Sequence, residues 1–443
     1  MDDLPLFDPD RDLTDFPGTA PHPLRAALLT ARDRVRRRVL EEGVLISSPP
    51  PTPFPVPPAV SVLHPAAGPL LHRRVLTAVD CLERIVRAYP RHALLQRFLD
   101  VPPVLHRWIA RHPHPESLTV DLCRLDLFGD RLGTARILEF NASSPGSLLG
   151  AGAVARFWRR TPEIGAVLDS WRVPPTRFEE QDWFTAWLVA HGRARGLTEQ
   201  QTRHLGLFHT GGGNRDRHLI AAQARRGGRT AAMLHPADYA PGTGLRLGHL
   251  KHIPADPRPV QGWDRFCAAV TDGELVIPNV LAQRWVAENK LCLAVLSDPR
   301  FEDLFPPGHR EALRSIVPWS RKLGDGVTVG QAVAGRARLV LKAPYGYFGN
   351  TVRLGCEHGP EDWAELVRSP RHRGWLVQER VAPGTVGALT RDLCVAVLDH
   401  RVVGHFSRVS AGSVVNVARG GTLQTVLSPA ARPSTDQHQA SVQ

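Results

Sequence analysis

Two neighbouring strand patterns near residue 130 constrain the fold more than any other part of the chain. The first pattern ends at Asp126 and the second at Asn141, with the glycine-bearing turn of residues 129–133 between them. Two short alternating segments joined by such a turn predict a β-hairpin. Glu139 lies two residues before Asn141, so we expect both side chains on one face of the second strand.

The polar residues of this hairpin have the chemistry of a metal site. Asp126, Glu139 and Asn141 offer two carboxylates and an amide oxygen, which are ligands that Mg²⁺ accepts at about 2.1 Å and that also suit Mn²⁺. Phosphate oxygens could complete the coordination shell. The alternative is a hairpin whose polar residues merely face solvent, and spacing alone leaves both interpretations open.

Length and composition bound the class of protein. A chain of 443 residues is expected to form two or three domains. No apolar run reaches 18 residues, which predicts no membrane partner. The acidic start lacks an apolar segment, and the six cysteines lack a CxxC pair, so we expect free thiols and a cytoplasmic protein.

The net charge of +12 is carried almost wholly by arginine, at 51 of the 55 basic residues. We interpret this as a chain-wide preference for arginine. Together with an aromatic content of 7%, it argues against a nucleic-acid-binding protein. It also makes the lysines informative, because a lysine is a compact point charge that arginine does not replace freely. They are Lys251, Lys290, Lys322 and Lys342.

The patterns predict an α+β chain divided into successive regions. The expected regions are an N-terminal helical region (1–117) with a proline-rich connector (49–58), the hairpin (118–150), an α/β lobe (151–277), a strand-rich region (278–428) and a disordered tail (429–443). Within the α/β lobe, strands flank the glycine loop of residues 211–214. We note His209, Asn214 and Arg215 beside this loop as weaker substrate-binding candidates.

The strand-rich region carries candidates for binding a nucleotide. Lys342 ends a predicted strand and enters a loop containing Gly346 and Gly349, which suits phosphate groups because glycines let backbone N–H groups approach. Lys290 begins a helix and is a second phosphate candidate, although a surface lysine is the alternative. We predict an adenine-binding edge at Gln378, Glu379 and Val381, and a ribose contact at Asp392. An anion clamp is predicted from Arg408, Asn416, Gly420 and Gly421. The same residues could equally be strand ends and turns.

Taken together, these motifs resemble the ATP-grasp superfamily. The resemblance rests on Arg124-Leu-Asp126, Glu139-Phe-Asn141 and the Pro145-Gly146 turn. By this resemblance the two acids and the amide hold Mg²⁺, Arg124 steadies the transferring phosphoryl group, and Arg408 covers the phosphates. Both arginines are therefore the expected catalytic residues.

The order of the motifs resembles the circularly permuted members of that superfamily, including the glutathionylspermidine synthase group. Here the metal motif precedes Lys290, in an Asn-Lys pair, by about 150 residues. The resemblance covers about residues 118–146 and 278–428. The turn carries Ser143-Ser144 where that group has Asp-Thr, and no cysteine–histidine amidase domain is evident. The implied fold is a circularly permuted ATP-grasp fold with an additional α/β substrate-side lobe and N-terminal helices.

The resemblance implies an ADP-forming carbon–nitrogen ligase. Such an enzyme uses ATP and Mg²⁺ to join a small-molecule or peptide carboxylate to an amine through an acyl phosphate. A substrate on an anionic carrier or on tRNA stays an alternative. The other class of function left open is an inactive ATP-grasp protein that binds nucleotide without catalysis.

Overall fold

The structure is a computed structural model that describes residues 3–46, 51–143, 145–210, 215–251, 263–279, 281–346, 351–417 and 420–429. The strands are β1 (Phe7–Thr14), β2 (Leu45–Ile46), β3 (Thr52–Pro53), β4 (Ala59–Leu63), β5 (Leu122–Phe128), β6 (Arg136–Asn141), β7 (His204–His209), β8 (Thr230–Leu234), β9 (Leu247–Lys251), β10 (Ser320–Leu323), β11 (Gly326–Val327), β12 (Leu339–Lys342), β13 (Val352–Leu354), β14 (Leu376–Glu379), β15 (Gly384–Val386), β16 (Leu389–Arg391), β17 (Leu393–Leu398), β18 (Arg401–Ser410) and β19 (Thr422–Leu427). The helices are α1 (Arg25–Glu41), α2 (Ala67–Ala88), α3 (Ala93–Leu99), α4 (Pro103–Ala110), α5 (Leu148–Arg159), α6 (Pro162–Ser170), α7 (Trp183–Ala194), α8 (Asp216–Arg226), α9 (Trp263–Thr271), α10 (Ala282–Trp285), α11 (Leu291–Ser297), α12 (Pro307–Ile316), α13 (Val329–Ala334) and α14 (Pro360–Arg368).

A nine-stranded main sheet joins segments from both ends of the chain. Its strands follow the order β1-β4-β19-β18-β17-β5-β6, with β15 and β16 attached beside β18. All described pairs in it are antiparallel except β19 with β4, which run parallel. The predicted hairpin is confirmed as β5 and β6, and it forms one edge of this sheet.

The two faces of the main sheet are covered by different cores. The odd-numbered side chains of β5, such as Leu125 and Leu127, pack into the core around α2 and α11. Leu122 on the other face joins the core around α1, α5 and α7. Because strand side chains alternate between faces, Arg124 and Asp126 follow Leu122 onto this second face, beyond the apolar packing.

Two smaller sheets complete the fold. The five-stranded sheet has the order β11-β10-β14-β12-β13, and the three-stranded sheet has the order β8-β7-β9. The latter is parallel throughout, so His209 and Lys251 end neighbouring strands at the same edge and are register partners. Open parallel sheets bind ligands beyond the carboxyl ends of their strands, which makes this edge a place to look for substrate contacts.

The N-terminal region differs from the helical region that the sequence predicted. Besides α1 to α4 it contributes β1 and β4 to the main sheet. Within this region, α3 and α4 are separate helices with Pro102 and Pro103 at the break, since proline cannot continue a helix beyond its first turn. Part of the predicted connector packs as well, because Phe54 and Val56 are buried in the core around α1.

Other sequence predictions have mixed outcomes. Helices and strands in several sheets agree with the predicted α+β class. All six cysteines are free, as expected. Among the described helices, none combines the length and apolarity that crossing a bilayer requires. The predicted disordered tail lies outside the described residues from 430 onward.

Candidate functional site

The β5–β6 hairpin brings the predicted metal ligands onto one face. Arg124 is the register partner of Asn141, and Asp126 is that of Glu139. The turn depends on Gly129, whose φ of +121° is rarely adopted by other residues and whose missing Cβ would lie 2.8 Å from the backbone of Thr134 and Ala135. Two acids, one amide and one guanidinium therefore form a compact group at the sheet edge.

Arg124 and Asp126 form a buried ion pair within this group. Arg124 Nε donates to Asp126 Oδ1 at 2.6 Å, and Nη2 donates to Oδ2 at 2.9 Å. The third nitrogen, Nη1, donates to the Gly146 carbonyl oxygen at 2.8 Å. The arginine thereby ties the β5–β6 hairpin to the Pro145-Gly146 turn that precedes α5.

Arg408 on β18 reaches the same carboxylate across an intervening strand. Its Nη2 donates to Asp126 Oδ2 at 2.7 Å. On the intervening strand β17, Cys394 is the register partner of Asp126 on one side and of Phe406 on the other. Arg408 is itself held by Asp392, which accepts from its Nε at 2.7 Å and from its backbone N–H at 2.6 Å.

The charges of this group perturb one another strongly. Burial alone would raise the pKa of Asp126, yet the guanidiniums of Arg124 and Arg408 outweigh burial and hold that pKa below its usual range. Burial raises the pKa of Asp392, although Arg408 opposes the change. Asp126 is thus held as an anion between two cations.

Lys342, predicted to bind phosphate, joins the five-stranded sheet to the β5–β6 hairpin. Its Nζ donates to the Leu138 carbonyl oxygen at 3.0 Å and to Gln378 Oε1 at 2.6 Å. Leu138 directly precedes Glu139 on the edge strand β6. Burial lowers the pKa of Lys342 to about 8, partly opposed by Glu139.

Lys290, the second predicted phosphate lysine, contacts the hairpin from another direction. Its Nζ lies 3.2 Å from Glu139 Oε2 and donates to the Gly346 carbonyl oxygen at 3.0 Å. Burial would lower its pKa, but the carboxylates of Glu139 and Glu288 raise it. This lysine is buried, so the surface-lysine alternative is wrong.

These groups line one cavity of about 710 Å³, which we call the main cavity. Its walls come from the hairpin, the five-stranded sheet, β18, the start of α5 and the ends of β7 and β9. The predicted residues that line it are Arg124, Asp126, Glu139, Asn141, Lys290, Lys342, Gly346, Gln378, Glu379, Val381, Asp392, Arg408 and Asn416.

The remaining predicted residues fall elsewhere. Gly420 and Gly421 are described but do not line the main cavity. Gly421 instead lets the backbone approach closely, since its N–H donates to the Asn416 carbonyl oxygen at 3.0 Å and a Cβ would lie 2.7 Å from that oxygen. Gly349 and Asn214 lie outside the described residues.

One end of the main cavity is formed by the parallel three-stranded sheet. His209, Asp216 and Lys251 line it, and Lys251 Nζ donates to Asp216 Oδ2 at 3.0 Å. Burial lowers the pKa of His209 to about 4, and Arg217 and Lys251 lower it further. Of the weaker candidates, His209 therefore lies at the cavity, whereas Arg215 is not among the lining residues.

Two positioning residues were missed by the sequence analysis. Arg284 is buried and donates to the carbonyl oxygens of Ser143 at 2.9 Å and Leu250 at 2.7 Å. Glu288 accepts from the backbone N–H groups of Ala142 at 2.6 Å and Ser143 at 2.9 Å. Both fix the turn after Asn141. The only sequence signal was the position of Glu288, two residues before Lys290.

The donor set fits Mg²⁺ or Mn²⁺ in its chemistry. Asn141 donates through Nδ2 to the Arg124 carbonyl oxygen at 3.4 Å, which leaves its amide oxygen as the atom suited to a cation. Asp126 accepts three hydrogen bonds from guanidiniums, and the side chain of Glu139 also lies within hydrogen-bonding reach of its carboxylate. Glu139 is partly accessible, with 27% of its side chain exposed.

Comparison with known proteins gives little further guidance. No protein-family profile matches the chain, and no curated protein matches it significantly. Among solved structures, one described as "Putative gamma-glutamylcysteine synthetase" from Methylobacillus flagellatus KT is similar at a TM-score of 0.35 and 12% sequence identity, over 74% of this chain and 84% of that chain. This likeness is too weak to carry a conclusion about fold or site.

Proposed function

We propose that this protein is an ATP- and Mg²⁺-dependent carboxylate–amine ligase with a circularly permuted ATP-grasp arrangement. The observation that supports the proposal is the main cavity, where the acids of the β5–β6 hairpin meet two buried lysines from more than 150 residues later in the chain. A triphosphate with its cation needs this combination of oxygen ligands and ammonium groups.

Lys290 and Lys342 are the proposed phosphate ligands. Each ammonium group now contacts a carbonyl oxygen, which phosphate oxygens could replace. The edge after Gln378, where Glu379 and Val381 line the cavity, would receive the adenine ring. Asp392 is better assigned to positioning Arg408 than to the ribose, because both its oxygens accept from Arg408.

Arg124 and Arg408 are the proposed catalytic residues. Both guanidiniums lie at the Asp126 carboxylate and line the cavity, where they could stabilise the charge that develops during phosphoryl transfer. Asp126, Glu139 and Asn141 would hold Mg²⁺, which supplies charge neutralisation when bound. Preorganised charges of this kind lower the barrier because they need not reorganise during the reaction.

The proposed reaction has two steps. A substrate carboxylate oxygen attacks the γ-phosphorus, the bond to the β–γ bridging oxygen breaks, and ADP leaves. The amine nitrogen then attacks the carbonyl carbon of the acyl phosphate, releasing phosphate and one proton as the amide forms. The walls of the main cavity would limit the access of water to the acyl phosphate. The proposed substrates are a small-molecule or peptide acid and an amine, in a cytoplasmic setting.

The direct test is an ADP-release assay over a matrix of amino acids and amines with ATP and Mg²⁺. We expect ADP release that requires one acid and one amine together and that yields their amide by mass spectrometry. Including acids attached to a carrier protein or to tRNA would test the alternative substrate class. The ligase proposal is rejected if no pair of acid and amine in the matrix releases ADP from ATP.

An inactive nucleotide-binding protein is the second candidate. The observation that favours it is the engagement of Asp126 by two guanidiniums, which takes three acceptor positions of one proposed metal ligand. Tight ATP binding by calorimetry without amide formation for any substrate pair would select this candidate over the ligase.

A further inference from the structure

A second cavity of about 300 Å³ lies apart from the main cavity, among α5, α7, α8 and the segment after α1. It is lined by Glu42, Val44, Leu149, Ala153, Arg156, Gln181, Trp183, Leu219, Ala222, Gln223 and Arg226. Both α5 and α8 begin at the main cavity, at Ser147 and Asp216. At a rise of 1.5 Å per residue, Arg156 lies about 13 Å further along α5 than Ser147.

The second cavity holds a buried arginine donor that is available to a ligand. Arg156 is buried, with 9% of its side chain exposed, and its Nη2 pairs with Glu42 Oε2 at 3.0 Å. Its Nε is buried and makes no hydrogen bond to any residue that the structure describes. Gln223 uses its Oε1 to accept from the Thr185 N–H at 3.1 Å, which leaves its amide N–H groups as the available part.

The local charge balance is also positive. Arg160 and Arg226 lie close enough to Arg156 to oppose its charge, whereas Glu42 favours it. Arg226 is itself paired with Asp182 at 2.8 Å. Of the charged groups that line the cavity, two are guanidiniums, Arg156 and Arg226, and one is a carboxylate, Glu42. Burying a donor without a partner costs free energy, and an acceptor on a ligand would offset that cost.

We propose that this second cavity is a binding site for a small organic anion. A carboxylate or phosphate group would accept from Arg156 Nε and the Gln223 amide, while Val44, Leu149 and Trp183 would contact an apolar part of the molecule. Planar guanidinium groups bind both kinds of oxyanion well. The proposal is independent of the ligase assignment, since none of these residues lines the main cavity.

The test is isothermal titration calorimetry without ATP, using benzoate, phenyl phosphate, inorganic phosphate and benzylamine as probes. We expect benzoate or phenyl phosphate to bind, and the stronger of the two identifies the preferred oxyanion. Benzylamine, which is cationic, should not bind. Binding should change tryptophan fluorescence, and Trp183→Phe should remove that change.

Arg156→Gln should weaken binding at least tenfold, and Arg37→Gln, at an exposed arginine of α1, should leave it unchanged. Should Arg156→Gln not fold, Ala222→Leu fills the cavity from α8 without removing the guanidinium and should abolish binding. The proposal is overturned if no organic anion binds, if inorganic phosphate alone binds, or if binding persists in both variants.

Discussion

Lys342 donates a hydrogen bond to the carbonyl oxygen of Leu138 at 3.0 Å, although 204 residues separate them in the chain. This contact places an ammonium group beside Glu139 and joins the five-stranded sheet to the edge of the main sheet. Both residues line the main cavity. The predicted meeting of the acidic hairpin with downstream lysines is therefore found in the structure.

The pKa of Lys342 predicts how ATP affinity depends on pH. Burial lowers this pKa to about 8, so the ammonium group that would bind phosphate is lost as the pH rises through that value. We expect the ATP dissociation constant to rise above pH 8, by at most about tenfold per pH unit because one proton is involved. Isothermal titration calorimetry between pH 6.5 and 9.5 measures this dissociation constant. Lys342→Met should bind weakly with a flatter profile, and an equally steep profile in that variant would contradict the assignment.

The ion pairs of Asp126 predict its contribution to stability. Asp126→Asn would leave Arg124 and Arg408 buried without this counter-charge, and we expect the free energy of unfolding to fall by about 3–5 kcal/mol at pH 7. Urea denaturation gives the value. Asp33→Asn, which breaks an exposed pair with Arg32, serves as the control and should change little.

The loss of stability caused by Asp126→Asn should depend on pH. Because the pKa of Asp126 is lower in the folded protein, its stabilising effect is complete above the unfolded-state pKa of about 3.9. It declines as the pH falls through the folded-state pKa. The stability difference between wild type and Asp126→Asn should therefore be constant from pH 5 to 7 and shrink below pH 4. A difference that grows on acidification would show that the carboxylate is not held as an anion.

Glu139 is predicted to matter for catalysis more than for stability. Its side chain is partly exposed, and Glu288 also acts on the charge of its partner Lys290, so Glu139→Gln should destabilise the fold less than Asp126→Asn. We expect kcat to fall roughly 10²-fold or more, since preorganised charge stabilisation is worth about 3 kcal/mol, and the Mg²⁺ concentration for half activity to rise. A Mg²⁺ titration of the ADP-release assay checks this, with exposed Glu311→Gln on α12 as the control. Unchanged Mg²⁺ dependence would remove Glu139 from the metal site.

Arg284 is predicted to position the turn after Asn141. Arg284→Met keeps the side-chain volume but removes donors to the carbonyl oxygens of Ser143 and Leu250. We expect about 3 kcal/mol less stability because buried carbonyls lose their partners, measured by urea denaturation. Arg284→Lys should retain only part of the stability that Arg284→Met loses, since an ammonium group lacks the planar fork of a guanidinium. Full recovery by lysine would indicate that charge alone matters at this position.

Local patterns allowed much of the candidate site to be predicted from the sequence. The hairpin residues alternate over a few positions, and Lys342 ends a short apolar strand, so each carries its own signal. Arg284 and Glu288 gave no such signal, because their partners, Ser143 and Ala142, lie about 140 residues away. Contacts of that kind depend on the assembled fold.

The N-terminal strands were missed for a related reason. β4 belongs to the main sheet because it pairs with β19, near the other end of the chain. The prolines around Phe54 and Val56 indicated a proline-rich connector, and both apolar side chains are buried. Proline limits the backbone conformation but does not prevent an extended segment from packing against a core.

The most direct test is a double-mutant cycle on the binding of a non-hydrolysable ATP analogue with Mg²⁺, measured by isothermal titration calorimetry. The cycle compares wild type, Glu139→Gln, Lys342→Met and the double variant. If one ligand joins the acid hairpin and the lysine strand, we expect a coupling energy of about 1 kcal/mol or more, as for groups that share a partner. Effects that add within about 0.5 kcal/mol, or the absence of Mg²⁺-dependent binding in wild type, would contradict the account.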